Sequence, residues 1–426
     1  MRRFGLPLAF AWFLALPSSG QQHDLIGYWH NWNDANAPYL ELADIDPRYT
    51  IIDVAFAEPL PGTSHVMAFS PTGTDQTGFT AQIASFQANG KKVLISIGGA
   101  NAAVHLDSDQ ERDEFVSSML GIINEYGFDG IDIDLEGSSV AISGGTIANP
   151  VDATIIRLID AINSIANAFE SANGAPMMLT AAPETAYVQG GMSAFGGIWG
   201  AYLPLLEGLR DRIDILHVQL YNSGSMYGID GGIYAQGTAD FIVSQTEALL
   251  QGFNTAGGAF APFPPEKIAI GLPACPSAAG GGYVPPSVLE AAVDYLRGTG
   301  PQPGSYSSVS DYPSLRGLMT WSINWDAAPG CAEAYEFAES YETLFTITTS
   351  TPEIESALST IVLDGTAWPI PERLIGKRLL LSDQVGRSLG TATGTTSRLD
   401  LPPLAPGIYY VREPATDGLA LRLLVP

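Results

Sequence analysis

The sequence DGIDIDLE, residues 129–136, places a carboxylate at every second position of an apolar segment. Alternate side chains of a β-strand point to opposite faces, so Asp132, Asp134 and Glu136 share one face and the aliphatic residues share the other. Successive carboxylates on that face are about 6.6 Å apart along the backbone. No Lys or Arg lies within the stretch to neutralise them. Because such carboxylates cannot all ionise in a partly buried site, one of them should keep its proton near neutral pH, as a general acid must.

Two other interpretations account for this stretch less well. In a solvated acidic edge strand, the opposite face would not be uniformly aliphatic. A calcium loop of the EF-hand type carries Asp or Asn at alternate positions with a Gly turn and a distant Glu, and not Ile and Leu between the acids. The stretch therefore predicts a catalytic strand.

Short apolar segments alternate with helical segments from residue 25 to residue 345. The apolar runs are mostly continuous, which is typical of a parallel sheet covered on both faces. Eight strand–helix units over about 320 residues predict an α/β fold, a (β/α)8 TIM barrel with insertions. A doubly wound open sheet would carry a Gly-rich phosphate loop, and residues 96–99 are too short a match for one. The predicted strands are residues 25–29, 51–56, 93–97, 130–135, 177–181, 213–220, 268–272 and 317–323.

The two ends of the chain differ from the barrel region 21–345. Residues 1–20 combine Met1-Arg2-Arg3 with a short apolar run and a small-residue zone, which predicts a signal peptide; a buried N-terminal helix is the alternative. No later stretch is apolar enough to span a bilayer, so we expect a secreted or cell-surface protein. Residues 346–352 are predicted to be a linker. Residues 353–426 contain short strand patterns between turns, which predict a small all-β, β-sandwich-like domain.

The net charge argues against some classes of binding partner, and the cysteine and histidine content bears on disulfides and metal sites. The net charge is −26, from 45 acidic and 19 basic residues, which argues against nucleic acid or an anionic membrane as a partner. Cys275 and Cys331 each follow a predicted strand; a disulfide can form if those strands are neighbours, and two unrelated thiols are the alternative. The five His residues are scattered and suggest no metal site. No organic cofactor is predicted either.

Candidate ligand-binding residues follow the predicted strands at their carboxyl ends, where a TIM barrel places its reactive groups. Aromatic rings stack on sugar rings and amides pair with hydroxyls, so this composition beside carboxylates suits an uncharged sugar. For any single aromatic residue, core packing is the alternative. The candidates are Tyr28, Phe56, Gly98, Gly99, Glu184, Gln219, Tyr221, Asn222 and Trp321.

The motifs together resemble those of glycoside hydrolase family 18. Residues 129–136 match its DxxDxDxE signature, residues 96–99 resemble its SxGG motif, and residues 219–222 resemble its QxYN variant. Trp321 matches the tryptophan of the last strand. The segment 271–286 is similar to class III plant and related bacterial chitinases. The resemblance covers about residues 24–345 and implies a TIM-barrel enzyme that cuts chitin.

The resemblance also implies a substrate-assisted mechanism with retention of configuration. Glu136 would protonate the glycosidic oxygen while the acetamido oxygen of the substrate attacks, giving an oxazolinium intermediate. Asp134 would hold the acetamido N–H, and Asp132 would share a proton or hydrogen bond with Asp134, helped by Tyr28. Water would then open the intermediate with Glu136 as the base.

The remaining site residues have roles implied by the same resemblance. Tyr221 would donate to the acetamido oxygen, and Trp321 would form the floor under the sugar. The other expected substrate contacts are Phe56, Gly98, Gly99, Glu184, Gln219 and Asn222.

Two functional alternatives and one resemblance of the tail stay open. An endo-β-N-acetylglucosaminidase acting on N-glycans or peptidoglycan would use the same acid, and a chitin-binding lectin would use the same barrel. Residues 379–387, 404–412 and 419–425 resemble a type IX secretion sorting domain, which implies a secretion machinery as partner. Pro369-Ile370-Pro371 and the final Pro426 depart from that pattern. A generic accessory or carbohydrate-binding domain is the alternative.

Overall fold

The computed structural model describes residues 23–345 and, after them, the strand residues 360–362, 378–383, 388–393, 407–412 and 419–425. The predicted signal peptide 1–20 and the predicted linker 346–352 lie outside the described residues. The chain divides into two compact units, residues 1–346 and residues 347–426.

Eight parallel strands of the first unit form a nearly closed barrel, consistent with the predicted (β/α)8 TIM barrel. Each strand pairs with its neighbours in chain order, and the first strand also pairs with the eighth. The sixth and seventh strands are joined by single bridges, Leu216–Ile268 and Gln219–Gly271. The barrel strands are Asp24–His30, Ile51–Pro59, Lys92–Gly99, Gly130–Leu135, Met178–Ala181, Ile215–Leu216, Ala269–Pro273 and Gly317–Trp321.

Helices surround the barrel, and several of them begin at a side-chain cap. In the helix Asp109–Tyr126, the Ser108 side chain accepts the N–H of Glu111, as a capping box requires. The Glu111 carboxylate accepts from the N–H of Asp107 rather than that of Ser108. The α-helices are Gln76–Ala88, Asp109–Tyr126, Ala153–Asn173, Leu203–Gly208, Ala239–Gln251, Pro286–Arg297, Ile323–Asp326 and Glu336–Phe345. The short 3-10 helices are Leu42–Asp44, Thr185–Tyr187, Gln189–Met192 and Pro265–Lys267.

The loops of the barrel contain additional short strands. Met67–Ala68 pairs with the end of the second barrel strand. Ser225–Tyr227 pairs with Ile233–Ala235, and Phe253–Thr255 pairs with Gly258–Phe260, each as an antiparallel hairpin.

The two faces of the fourth strand are buried in different surroundings. Ile131, Ile133 and Leu135 belong to the large apolar cluster that the strands form with the helices. Asp132 and Asp134 are buried as well, on the face that points into the barrel. The alternation predicted from the sequence therefore places the acids inside the barrel and the aliphatic residues outside it.

Two predicted strands are shorter than expected. The sixth, predicted over 213–220, is regular only at Ile215–Leu216, although Gln219 still bridges Glu184 on one side and Gly271 on the other. The eighth, predicted over 317–323, ends at Trp321. It ends there because the Ser322 side chain caps the following short helix by accepting the N–H of Trp325.

The described strands of the second unit pair into one five-stranded sheet. The strands 360–362 and 419–425 run parallel, and the other pairings are antiparallel. The predicted strands 378–382, 407–412 and 419–425 coincide with strands of this sheet, whereas 360–362 and 388–393 were not predicted. The β-sandwich-like domain expected over 353–426 stays a prediction.

Two further features concern stability and location. Cys275 and Cys331 are bonded to each other, which links the loop after the seventh strand to the segment after the eighth. Within the described residues, every helix is too short or too polar to cross a bilayer.

Candidate active site

A cavity of about 450 Å³ opens at the carboxyl end of the barrel strands. Acids, amides and aromatic rings line it together, and eight of the thirteen lining residues were predicted as site residues. Glu58, Asn101 and Trp32 also line it but were not predicted. The lining residues are Trp32, Phe56, Glu58, Ala100, Asn101, Asp134, Glu136, Glu184, Gln219, Tyr221, Asn222, Ala278 and Trp321.

Three carboxyls of the fourth strand lie at increasing depth below the cavity. Glu136 is partly exposed at the end of the strand, Asp134 is 2% exposed, and Asp132 is fully buried. Gln219 joins the outer two: its side-chain amide donates to Asp134 Oδ1 at 2.8 Å and to Glu136 Oε1 at 3.1 Å. The same amide donates to the carbonyl of Ala182 at 3.0 Å, which holds it in place.

Burial raises the pKa of both outer carboxyls. Burial, then the charge of Glu136, raises the pKa of Asp134 well above its ordinary value. Burial also raises the pKa of Glu136, against the hydrogen bonds from Gln219 and Asp134 that lower it. The raised pKa values favour retention of a proton on this pair of carboxyls at the cavity.

Asp132 is the carboxyl that its surroundings keep ionised. Its oxygens accept the hydroxyls of Tyr28 at 2.6 Å, Ser96 at 2.7 Å and Thr180 at 2.7 Å. Burial alone would raise its pKa, but the nearby His217 and the hydrogen bonds from Tyr28 and Ser96 outweigh burial and lower the pKa. Hydrogen bonds to the charged form have this effect because they stabilise the anion.

Sequence reasoning missed two buried groups behind Asp132. Nε2 of His217 lies 3.4 Å from Asp132 Oδ1 and 3.7 Å from Asp53 Oδ2, and all three side chains are fully buried. Asp53, Asp132 and His217 present donor atoms within 4.8 Å of one another, as a metal site would. Because three hydroxyls already donate to Asp132, a proton network suits this cluster better than a cation. Asp53 and His217 could have been found from the sequence by looking for a polar residue on the barrel-facing side of an otherwise apolar strand.

Aromatic rings form one wall of the cavity. The rings of Phe56 and Trp321 are nearly parallel, 10° apart, with centroids separated by 5.9 Å. Trp32 stacks on His30 with centroids 4.5 Å apart and lies 6.2 Å from Phe56. The peptide bonds Ala55–Phe56 and Trp321–Ser322 are cis. This wall presents flat apolar faces beside the acids, as sugar rings require.

Three residues expected to touch the substrate lie beneath the cavity surface instead. Tyr28 is fully buried and bonded to Asp132. A Cβ on Gly99 would lie 2.7 Å from the ring of Phe56, and one on Gly98 would lie 2.5 Å from the Asp134 carbonyl. Both glycines have positive φ and are buried. They therefore admit Phe56 and the fourth strand, rather than a ligand, close to the backbone.

Tyr221, Asn222 and Glu184 complete the opposite wall. A Cβ on Gly282 would lie 2.6 Å from Tyr221, so the loop after the seventh strand packs closely over that tyrosine. Burial, then the charge of Asp134, raises the pKa of Tyr221 well above its ordinary value, so its hydroxyl stays protonated. Burial, then the charge of Glu136, raises the pKa of Glu184 to about 7.

Comparison with known proteins gives consistent matches over the barrel. Residues 24–291 match glycosyl hydrolases family 18. Chitinase D of Niallia circulans is 48% identical over 311 residues, which cover 71% of this chain and 58% of that protein. Chitinase Chi52 of Paenibacillus xylanexedens is 47% identical over 310 residues, with the same two shares. The chain thus spans 58% of the length of these two relatives.

A solved structure supports the same relationship. The crystal structure of a family GH18 chitinase from Chromobacterium violaceum is similar with a TM-score of 0.67 and 36% identity. The similarity covers 75% of this chain and 83% of that one.

Proposed function

The chain belongs to glycosyl hydrolases family 18, and from that premise we propose that it is an exported chitinase. It hydrolyses β-1,4-linked N-acetylglucosamine with retention, by substrate-assisted catalysis. The proposal depends on one observation. Asp132, Asp134 and Glu136 lie at decreasing depth beneath a cavity that aromatic rings line on one side.

Glu136 is the general acid. It lines the cavity at the end of the fourth strand, and burial raises its pKa, which favours the protonated form needed to protonate a leaving oxygen. The hydrogen bonds from the Gln219 amide to Glu136 and Asp134 fix the two carboxyls relative to each other before substrate binds. Such preorganisation lowers the barrier because no reorganisation is needed during the reaction.

Asp134 and Tyr221 orient the acetamido group that attacks. Both line the cavity beside Glu136, so an acetamido group placed between them has an acceptor for its N–H and a donor for its oxygen. The raised pKa of Tyr221 keeps that donor available. Holding the attacking oxygen in place supplies the proximity that the intramolecular step needs.

The aromatic wall binds the sugar rings. Trp321 forms the floor of the site, and the parallel ring of Phe56 extends the flat surface. Glu184, Gln219 and Asn222 line the same cavity and offer polar groups to sugar hydroxyls.

The names of the relatives favour chitin over the two alternatives. Both curated relatives and the solved structure are called chitinases. An endo-β-N-acetylglucosaminidase would use the same acid on a different glycan. A lectin on this barrel has no need of an acid, whereas Glu136 is present here with its partners Asp134 and Gln219.

The test of the function is product analysis on a defined N-acetylglucosamine oligomer and on a high-mannose glycopeptide, with wild type and Glu136→Gln together. We expect wild type to cut the oligomer and give β-anomeric products, and the variant to cut neither. Cleavage of the glycopeptide alone would replace chitinase by the glycosidase alternative. Chitin binding without new reducing ends would support the lectin.

Export is part of the proposal. Residues 1–20 would act as the signal peptide for export, and the tail 353–426 would engage a secretion machinery. Mass spectrometry of protein from the culture medium tests both, because it reads the mature N-terminus and shows whether the tail is retained.

A further inference from the structure

The barrel interior holds a buried acid–imidazole pair that the reaction described above does not use. Asp53 on the second strand and His217 after the sixth strand are both fully buried. Within the described residues, neither oxygen of Asp53 and neither ring nitrogen of His217 has a partner at ordinary hydrogen-bond length. Buried polar atoms normally have partners, so four unpaired atoms around one point need a physical explanation.

A proton on Nε2 of His217 accounts for two of the four atoms, Nε2 itself and Oδ2 of Asp53. That nitrogen lies between two carboxyls, 3.4 Å from Asp132 Oδ1 and 3.7 Å from Asp53 Oδ2. A proton there is attracted by both, and in a dry interior the attraction is strong. Among the described residues, no Lys or Arg forms an ion pair with Asp53, Asp132 or Asp134, so the ring N–H of His217 is the donor nearest to both Asp53 and Asp132.

Groups from the first, third, fourth, fifth and seventh strands surround this pair. The first strand presents Tyr28, whose ring lies 6.3 Å from that of His217, and the fourth presents Asp132 and Asp134. The third and fifth strands contribute the hydroxyls of Ser96 and Thr180, which do not titrate in the working range and which donate to Asp132. The seventh strand contributes Gly271, where an added Cβ would lie 2.6 Å from Met319 Cε and 2.7 Å from the Val218 carbonyl oxygen, so no side chain fits there.

We propose that His217 and Asp53 are positioning residues for the hydrolysis: together they hold one proton against Oδ1 of Asp132 and so keep Asp132 ionised beneath Asp134. Neither touches substrate. With Asp132 anionic, a second anion directly above it is unfavourable, so the proton of the outer carboxyls stays shared between Asp134 and Glu136. The three hydroxyls that converge on Asp132 agree with this state, because an ionised carboxylate accepts more hydrogen bonds than a protonated one.

The main test is the pH dependence of kcat for wild type, His217→Phe, Asp53→Asn and the double variant. The positioning role that it tests rests on the proposed function. Without the His217 donor, Asp132 is protonated more easily, so the loss of activity at acid pH moves upward by about one pH unit. KM stays close to the wild-type value because substrate does not reach Asp132. Asp53→Asn shifts the acid limb in the same direction by less, and the double variant shifts it no further than His217→Phe alone.

Glu247→Gln is the matched control. Its carboxylate is also fully buried and accepts the hydroxyls of Tyr306, Ser308 and Tyr312 at 2.6–2.7 Å, but it lies outside the cavity. We expect it to lower Tm and leave the acid limb in place. If His217→Phe does the same, His217 is only structural and the proposal is overturned. An additive double variant would overturn the role of Asp53.

Two measures keep the test decisive. If His217→Phe does not fold, the same cycle is run with His217→Asn, whose shorter side chain stays polar but does not extend to the Nε2 position. NMR of ring-¹⁵N-labelled histidine, assigned by comparison with His217→Asn, reads the proton on Nε2 without any turnover. An unprotonated Nε2 at the working pH overturns the proposal whatever the enzyme cleaves. A protonated Nε2 in a protein that cuts no N-acetylglucosamine glycan would refute the proposed function and leave the arrangement standing.

Discussion

Replacing Gln219 by Met should widen the pH range of activity toward alkaline pH. The amide of Gln219 is the donor that lowers the pKa of Glu136 against the effect of burial. Met has a similar volume and no N–H, so Gln219→Met removes the hydrogen bond with little change in packing. The pKa of Glu136 then rises.

The expected size of the shift in the pKa of Glu136 depends on how the Gln219 amide shares its N–H groups among three acceptors. A hydrogen bond to a charged group contributes about 1.5–3 kcal/mol. This amide also serves Asp134 and the carbonyl of Ala182, and its contact with Glu136 is the longest of the three. We therefore assign about 1.4 kcal/mol to Glu136, which corresponds to about one pKa unit. A general acid works only while protonated, so a higher pKa moves the alkaline loss of activity to higher pH.

The assay is kcat/KM against pH on a fluorogenic N-acetylglucosamine oligomer. We expect the alkaline limb to move up by about one pH unit and Tm to fall, because Asp134 and Ala182 lose a buried donor. Gln189→Met is the control: Gln189 is fully buried and donates to the carbonyl of Gln245, outside the cavity lining. It should lower Tm without moving the limb. An alkaline limb that stays in place or moves down in Gln219→Met would refute the reasoning.

Three further predictions concern residues of the same site. Glu136→Gln should abolish hydrolysis while Tm and chitin binding stay near wild type; substantial residual turnover would reassign the acid. Asp134→Asn should reduce kcat far more than KM, since its charge acts on the intermediate rather than on bound substrate, and a change in KM alone would contradict that role. Gly99→Ala should raise KM and lower Tm, because a Cβ there would lie 2.7 Å from the ring of Phe56 at a φ of +78°; unchanged binding would show that Phe56 can move without consequence.

The acid row was predictable because its geometry lies within one strand. Alternation alone puts Asp132, Asp134 and Glu136 on one face, and the structure places that face inside the barrel. The barrel itself followed from repeated apolar segments. Such patterns concern residues close in sequence, and they need no knowledge of which strands become neighbours.

The residues that sequence reasoning missed or misplaced depend on contacts between distant strands. Asp53 and His217 meet Asp132 only after the second, fourth and sixth strands enter one barrel. Gly98 and Gly99 carry no side chain to reveal their surroundings, so an expected ligand contact turned out to be space for Phe56 and the fourth strand. The sixth strand was predicted too long because its apolar pattern continues beyond its regular hydrogen bonds.

The covalent link between Cys275 and Cys331 makes the completed cavity dependent on cell compartment. Ala278, three residues after the first of these cysteines, forms part of the cavity wall. In a reducing cytoplasm the two thiols remain separate, so newly made chains carry that wall on an untethered loop. Recombinant protein prepared in an ordinary cytoplasmic host therefore differs from material matured in an oxidising environment, and kinetic work should use the latter.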